Sequence, residues 1–116
     1  MKVLVVDDST INNMLLQNFL EEHGFEVITA LNGYDAIRIL ESQKPDLLLL
    51  DLMMPGLSGF DVLKMLRKEN SDLPVIIISA FADADYINLA RELGAKDYIK
   101  KPINLGRLVQ TIQTAV

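Results

Sequence analysis

Three runs in this chain, Val3–Val6, Leu47–Leu50 and Val75–Ile78, are apolar at every position. A strand with one wet face alternates apolar and polar side chains, because neighbouring residues point to opposite faces. A strand apolar on both faces must be covered on both, as happens when helical crossovers pack on either side of a parallel sheet. The apolar runs sit in five β-rich segments, Lys2–Val6, Glu26–Ala30, Asp46–Leu50, Pro74–Ile78 and Asp97–Lys100. Amphipathic segments separate them. The first carries a stripe of Ile11, Met14, Leu15, Asn18, Phe19 and Glu22 and stops at Gly24. Asn32 caps the second, which presents Ala36, Ile37 and Leu40, and Pro45 follows its end. Leu63, Met65 and Leu66 mark the third, and the fourth runs from about Asp83 to Leu93 before Gly94. Asn104 caps the last, with Leu105, Leu108, Val109 and Ile112. The pattern is (βα)5, an α/β chain whose crossovers are right-handed. Five strands are too few for a (β/α)8 barrel. An open doubly wound parallel sheet is left, and such sheets place their sites beyond the carboxyl ends of the strands.

Composition narrows the chemistry. At 116 residues, half of them hydrophobic, residues 1–116 are expected to form one domain with a core of its own. No cysteine is present, which excludes disulfides, thiolate metal sites and a Cys nucleophile. A net charge of −5 and an aromatic content of 6% argue against direct nucleic-acid binding. Leu47–Leu50 is far too short to span a bilayer and ends at Asp51. Asp7 and Asp8 interrupt the first apolar stretch, so it does not read as a secretory signal. The expectation is a cytoplasmic protein without membrane insertion.

The residues that follow the apolar runs carry chemistry. The first run ends in Asp7-Asp8, the third in Asp51, the fourth in Ser79-Ala80 and the fifth in Lys100-Lys101-Pro102. In a doubly wound sheet these ends converge on one edge. Crowded carboxylates resist ionising together unless a cation joins them. Oxygen ligands without His or Cys suit Mg²⁺. A cation, a lysine and a hydroxyl around a carboxylate are the parts of phosphoryl transfer, with the carboxylate itself able to act as nucleophile. Asp51 is the best-placed nucleophile, since it ends the most continuous buried run. Any one of these residues alone reads more readily as a turn, a cap or a solvated charge. Their recurrence at successive strand ends is what carries the reading.

On these residues the chain resembles a response-regulator receiver domain, the phospho-acceptor module of two-component signalling. The matching residues are Val5-Val6-Asp7-Asp8-Ser9, Asp51-Leu52-Met53-Met54-Pro55-Gly56, Gly59, Ser79-Ala80, Gly94-Ala95 and Asp97 to Pro102. The resemblance covers essentially the whole chain. It implies a flavodoxin-like fold with strand order 2-1-3-4-5. It implies that Asp51 is phosphorylated by a histidine kinase or histidine phosphotransferase. Asp7 and Asp8 would help to hold Mg²⁺, Asp8 more directly, with the Met53 backbone carbonyl and Asp51. Ser79 would bond the phosphoryl group, and Lys101, not Lys100, would be the site lysine. A cis bond before Pro102 is common in the family. Tyr98 falls at the family's aromatic switch position, and together with Ser79 it would remodel the face made by the fourth helix, fifth strand and last helix for a downstream output domain or protein. A homodimer formed on phosphorylation is one such output. Arg107 stands near where the family's winged-helix regulators usually carry an acid, which argues against that particular dimer.

Rival chemistries fit less well. A haloacid-dehalogenase-type phosphatase needs Asp-x-Asp after its first strand, whereas here the acids are adjacent. A flavodoxin-like electron carrier needs a Ser, Thr and Gly-rich phosphate loop where this chain has two acids. The alternative to a stand-alone regulator is a receiver domain cut from a hybrid histidine kinase or a transcription regulator. The resemblance singles out Met53 and Phe81, two residues after Asp51 and Ser79, as the positions where fast-dephosphorylating relatives carry polar side chains; neither can hydrogen-bond a water into line, so the resemblance implies a long-lived phosphate. Gly24, Gly33 and Gly94 read as backbone punctuation, and Gly56 and Gly59 as serving the turn and next helix start after Asp51. His23, before Gly24, reads as a helix-end residue favouring the dipole.

Overall fold

A computed structural model describes all 116 residues. In chain order the elements are β1 (Lys2–Val6), α1 (Thr10–Glu22), β2 (Glu26–Ala30), α2 (Gly33–Gln43), β3 (Leu47–Asp51), α3 (Gly59–Lys68), β4 (Val75–Ser79), α4 (Ala84–Glu92), β5 (Asp97–Lys100) and α5 (Leu105–Ala115). The five strands form one sheet in the order β2-β1-β3-β4-β5, and every pairing is parallel. No helix is long and apolar enough to cross a membrane.

Strand alternation sorts the core into two layers. Leu4, Val6, Leu48, Leu50, Val75 and Ile77 meet α2, α3 and α4 through Ala36, Val62, Leu63, Leu66 and Ala90. Their neighbours Val3, Val5, Leu47, Leu49, Ile76 and Ile78 meet α1 and α5 through Leu16, Leu20, Leu108 and Ile112. Runs that are apolar at every position are needed because both faces of the central strands are covered.

Several expectations are corrected. β3 and β4 begin and end one residue later than the expected segments Asp46–Leu50 and Pro74–Ile78. Asp46 is spent on the chain before β3, its N–H bonding the Lys2 carbonyl and its carboxylate the Lys2 N–H, both at 2.8 Å. Pro74 has no N–H to give the ladder. At the other end, Leu52 N–H still bonds the Ile78 carbonyl at 3.4 Å and Lys101 N–H the Ser79 carbonyl at 2.8 Å, so Asp51 and Ser79 belong to the strands themselves. The α1 stripe is also different. Ile11, Met14 and Leu15 are exposed, and the buried face is Asn13, Leu16 and Leu20. α1 has apolar residues around much of its circumference, and a polar first member hid the stripe that packs. Asn104 precedes α5 without a side-chain cap bond. Gly33 has an ordinary φ, and what it supplies is room: a Cβ there would lie 2.7 Å from the Leu57 carbonyl oxygen. Asn32 does cap α2, accepting from the Asp35 N–H, and the Nδ1 of His23, at the C-cap of α1, lies 2.9 Å from the Phe19 carbonyl oxygen.

Candidate functional site

Pleat geometry explains which side chains meet at the carboxyl edge. Asp7 lies two residues after Val5, Asp51 two after Leu49 and Lys101 two after Ile99, all on the α1/α5 side of the sheet. Ser79 lies two residues after Ile77, on the side of α4, as does Tyr98. The edge therefore divides into a charged half and a hydroxyl half.

In the charged half, Lys101 Nζ is 2.9 Å from Asp7 Oδ2 and 3.2 Å from Asp51 Oδ2. Asp7 and Asp51 are 3% and 4% exposed. Carboxylate oxygens of Asp7, Asp8 and Asp51 lie within 4.8 Å of one another. Lys100 is exposed and takes no part. The peptide bond between Lys101 and Pro102 is cis.

Asp7 is heavily engaged: Oδ1 accepts the Ser9 N–H at 2.9 Å, and Oδ2 receives Asn12 Nδ2 at 3.4 Å besides Lys101. Asp51 Oδ1 accepts only the Met53 N–H, at 3.2 Å. Asp8 is exposed and has neither a hydrogen-bond nor an ion-pair partner. The free acceptor capacity thus belongs to Asp8 and Asp51. Burial pushes the Asp51 carboxyl above its ordinary pKa, the nearby charge of Lys101 pulls it down, and Asp7 adds to the rise. Burial alone would lower Lys101, but its hydrogen bond to Asp7 and the charges of Asp51 and Asp7 outweigh that and hold the ammonium above its usual range. An all-oxygen, acceptor-rich donor set beside a carboxyl that burial keeps from ionising freely fits a hard divalent cation such as Mg²⁺.

In the hydroxyl half, Ser79 is fully buried and its Oγ accepts the Phe81 N–H at 3.0 Å. Tyr98 Oη donates to the Phe81 carbonyl. Both hydroxyls are therefore tied to the backbone of one residue in the loop before α4. The Phe81 ring itself is half-exposed and packs edge-on against Tyr86, with centroids 6.4 Å apart. Met53 is exposed beside Asp51.

The acceptor loop is held from below. Gly59 begins α3 against the end of β3, and its N–H bonds the Leu52 carbonyl at 2.9 Å. A Cβ at Gly59 would lie 2.2 Å from the Asp51 carbonyl oxygen. Ser58 and Asp61 close a capping box, Asp61 accepting both the Ser58 N–H and its hydroxyl.

All the residues expected at the site, Asp7, Asp8, Asp51, Ser79, Lys101 and the neighbouring Met53 and Tyr98, lie at this edge. Sequence reasoning passed over Asn12 and Asn13. Asn12 touches the Asp7 carboxylate, and Asn13 binds two backbone carbonyls, those of Asp7 and Ala30. The available signal was a polar residue at the head of the helical stripe Asn13, Leu16, Leu20.

Known proteins agree with this geometry. Residues 3–113 match the response regulator receiver domain. The chain is 37% identical to protein PilH of Pseudomonas aeruginosa, over 99% of this chain and 97% of that protein. It is 43% identical to the probable transcriptional regulator ycf27 of Cyanophora paradoxa, over 97% of this chain but 47% of that protein. Against ycf27 relatives of this kind the chain spans about half their length. The Vibrio cholerae chemotaxis protein CheY4 superposes with a TM-score of 0.93 at 27% identity, covering 99% of this chain and 98% of that one. Receiver domains generally bind Mg²⁺ at an acidic pocket, interact with histidine kinases and output domains, and are signalling modules, not classical enzymes. The sheet order, the converging acids and these matches together establish that the chain belongs to the response regulator receiver domain family of two-component signalling.

Proposed function

We propose that residues 1–116 act as one receiver unit in which Asp51 takes a phosphoryl group from a phosphohistidine of a histidine kinase or histidine phosphotransferase. A carboxylate oxygen of Asp51 attacks phosphorus. The new P–O bond forms as the P–N bond breaks, and the imidazole keeps the bonding pair. The observation that carries this reading is the buried Asp51 with Lys101 Nζ at 3.2 Å and two further carboxylates beside it. Lys101 offsets the charge arriving on the phosphoryl oxygens. Asp8, Asp51 and the Met53 carbonyl would hold Mg²⁺, with Asp7 orienting from behind. When bound, the ion would supply charge neutralisation for the transfer. The domain promotes its own phosphorylation and dephosphorylation and turns over no separate substrate. A cytoplasmic setting suits this chemistry.

The output follows from the hydroxyl half. A phosphoryl group on Asp51 recruits the Ser79 hydroxyl as donor. Ser79 then releases the Phe81 N–H, the loop before α4 shifts, and Tyr98 loses the Phe81 carbonyl that holds it. Tyr98 turns inward and the α4-β5-α5 face changes for its output partner, a population shift driven by one local charge.

Acetyl phosphate with Mg²⁺ tests the acceptor. Intact-mass measurement is expected to show one added phosphoryl group in the wild type and none in Asp51→Asn. Equal labelling of the variant overturns the assignment.

A further inference from the structure

Asn13 is 4% exposed in the face that α1 turns to the sheet. Its Nδ2 donates to the Asp7 carbonyl at 3.0 Å and to the Ala30 carbonyl at 3.1 Å. Its Oδ1 has no hydrogen-bond partner. Turning the amide end for end would set Oδ1 against two carbonyl oxygens, so the surroundings dictate which atom faces them. An apolar side chain here would remove the unpaired Oδ1 but leave the Asp7 carbonyl without its hydrogen bond.

What the amide supplies is direction. The bond from Asn13 is the only one the Asp7 carbonyl accepts. That carbonyl belongs to the planar peptide unit joining Asp7 to Asp8. Holding it fixes the Asp8 nitrogen, and so the direction in which the second acid leaves the end of β1. The Ala30 carbonyl also accepts the Asp7 N–H, at 3.2 Å. Asn13 thus ties the ends of β1 and β2 to α1 at the residue where the acids begin.

We propose that Asn13 is the positioning residue of the acid pair: its side chain holds the peptide between Asp7 and Asp8 and thereby sets the aim of both carboxylates at the cation site. The inference rests on the reading of Asp7, Asp8 and Asp51 as a Mg²⁺-dependent phosphorylation site. Polar groups that orient metal ligands from behind change metal affinity by about 10- to 100-fold when removed.

Two variants separate positioning from stability. Asn13→Leu keeps the site filled and removes the unpaired oxygen but orphans the Asp7 carbonyl, so its Tm falls by less than that of Asn13→Ala. Asn13→Ala leaves a void, so its Tm falls. Both lack the two donors. Isothermal titration of folded protein with MgCl₂ is expected to show roughly tenfold weaker binding in both variants. Initial phosphorylation by acetyl phosphate should fall by a similar factor at subsaturating Mg²⁺ and recover at high Mg²⁺. Wild-type Mg²⁺ affinity in Asn13→Leu overturns the proposal, as does an affinity that merely follows Tm across the two variants. Asp51→Asn, run alongside, keeps the outcomes distinct: if it still takes up phosphate, the site reading itself fails, whereas an unlabelled Asp51→Asn with wild-type binding in Asn13→Leu removes only the role of Asn13.

Discussion

Gly59→Ala adds one methyl group at the place where α3 meets the end of β3. The new carbon would stand 2.2 Å from the Asp51 carbonyl oxygen, 2.7 Å from Leu52 Cα and 2.9 Å from the Asp51 carbonyl carbon. All three are backbone atoms, so no rotamer change relieves the clash. Ordinary contact requires the start of α3 or the end of β3 to withdraw by about 1 Å. Overpacking of this kind costs about 2–3 kcal/mol, which for a domain of this size lowers the Tm by about 8–12 °C. The displaced atom belongs to Asp51 itself, and misplacement of a reacting group by about 1 Å costs on the order of 100-fold in rate. Thermal unfolding followed by circular dichroism, and phosphorylation by acetyl phosphate in the folded range, measure the two effects. Two other glycines calibrate them. At Gly33 the nearest atom is again a backbone oxygen, at 2.7 Å, but the loop residue Leu57 supplies all three nearest contacts and can give way. At Gly24 nothing lies within 4 Å, and only the φ of +87° is lost, a penalty of about 1 kcal/mol. The expected order of damage is Gly59 beyond Gly33, with Gly24→Ala losing some stability and no phosphorylation rate. A Gly59→Ala protein with wild-type Tm and wild-type rate would refute the reasoning.

Asp51→Asn is expected to raise the Tm at pH 7 when divalent cations are chelated. Burial raises the folded-state pKa of Asp51, so the folded state binds more protons than the unfolded one, and stability falls as pH climbs from the ordinary carboxylate range through that raised value; thermal melts from pH 4 to 8 should show the variant's advantage growing over that interval and then levelling. Asp61 has the opposite sign: its bonds from Ser58 lower its pKa, so its contribution is present above the ordinary carboxylate pKa and is lost as pH falls, and Asp61→Asn should flatten the acid limb of the same melts. Asp8→Ala should weaken Mg²⁺ binding by at least about tenfold and slow phosphorylation with it; unchanged affinity in a MgCl₂ titration would remove Asp8 from the ligand set. Met53→Asn with Phe81→Glu should shorten the life of the phosphoryl group, read as inorganic phosphate release, by about 10-fold or more if polar side chains there orient water; release no faster than wild type would show that these two positions do not govern it.

The strands were legible because both-sided burial leaves an unmistakable run of apolar residues, and the sheet order followed from the resemblance those runs support. Their ends were legible only to within a residue, since the ladder continues through Asp51 and Ser79, whose polar side chains say nothing about the backbone bonds they make. Choosing Lys101 over Lys100 rested on the resemblance, and strand alternation supplies the reason: Lys100 falls on the rung beside Ser79 and is exposed, while Lys101 reaches the acids. The buried face of α1 was misread because burial of Asn13 depends on two carbonyls contributed by β1 and β2, contacts that exist only after the sheet has formed. Likewise Phe81 reads as a plain loop aromatic until its backbone is seen to carry bonds from both Ser79 and Tyr98.

The four consecutive leucines of β3, each with no exposed surface once folded, have a different significance before the sheet closes. A short run of high hydrophobicity and no charge is a self-association hazard whenever it is uncovered. It stays uncovered on a ribosome until β4 has been made, because β3 pairs with β4 as well as β1. Asp46 and Asp51 bracket the run directly, and charges in those places oppose the stacking of one newly made chain on another. A charged Asp51 at the end of the run therefore opposes such stacking. Neutralising it pulls in two directions: the finished Asp51→Asn domain melts later, yet the chain that must reach that state is stickier. Refolding by dilution over a range of protein concentrations should expose the conflict, with the variant's recovered yield falling below wild type as concentration rises.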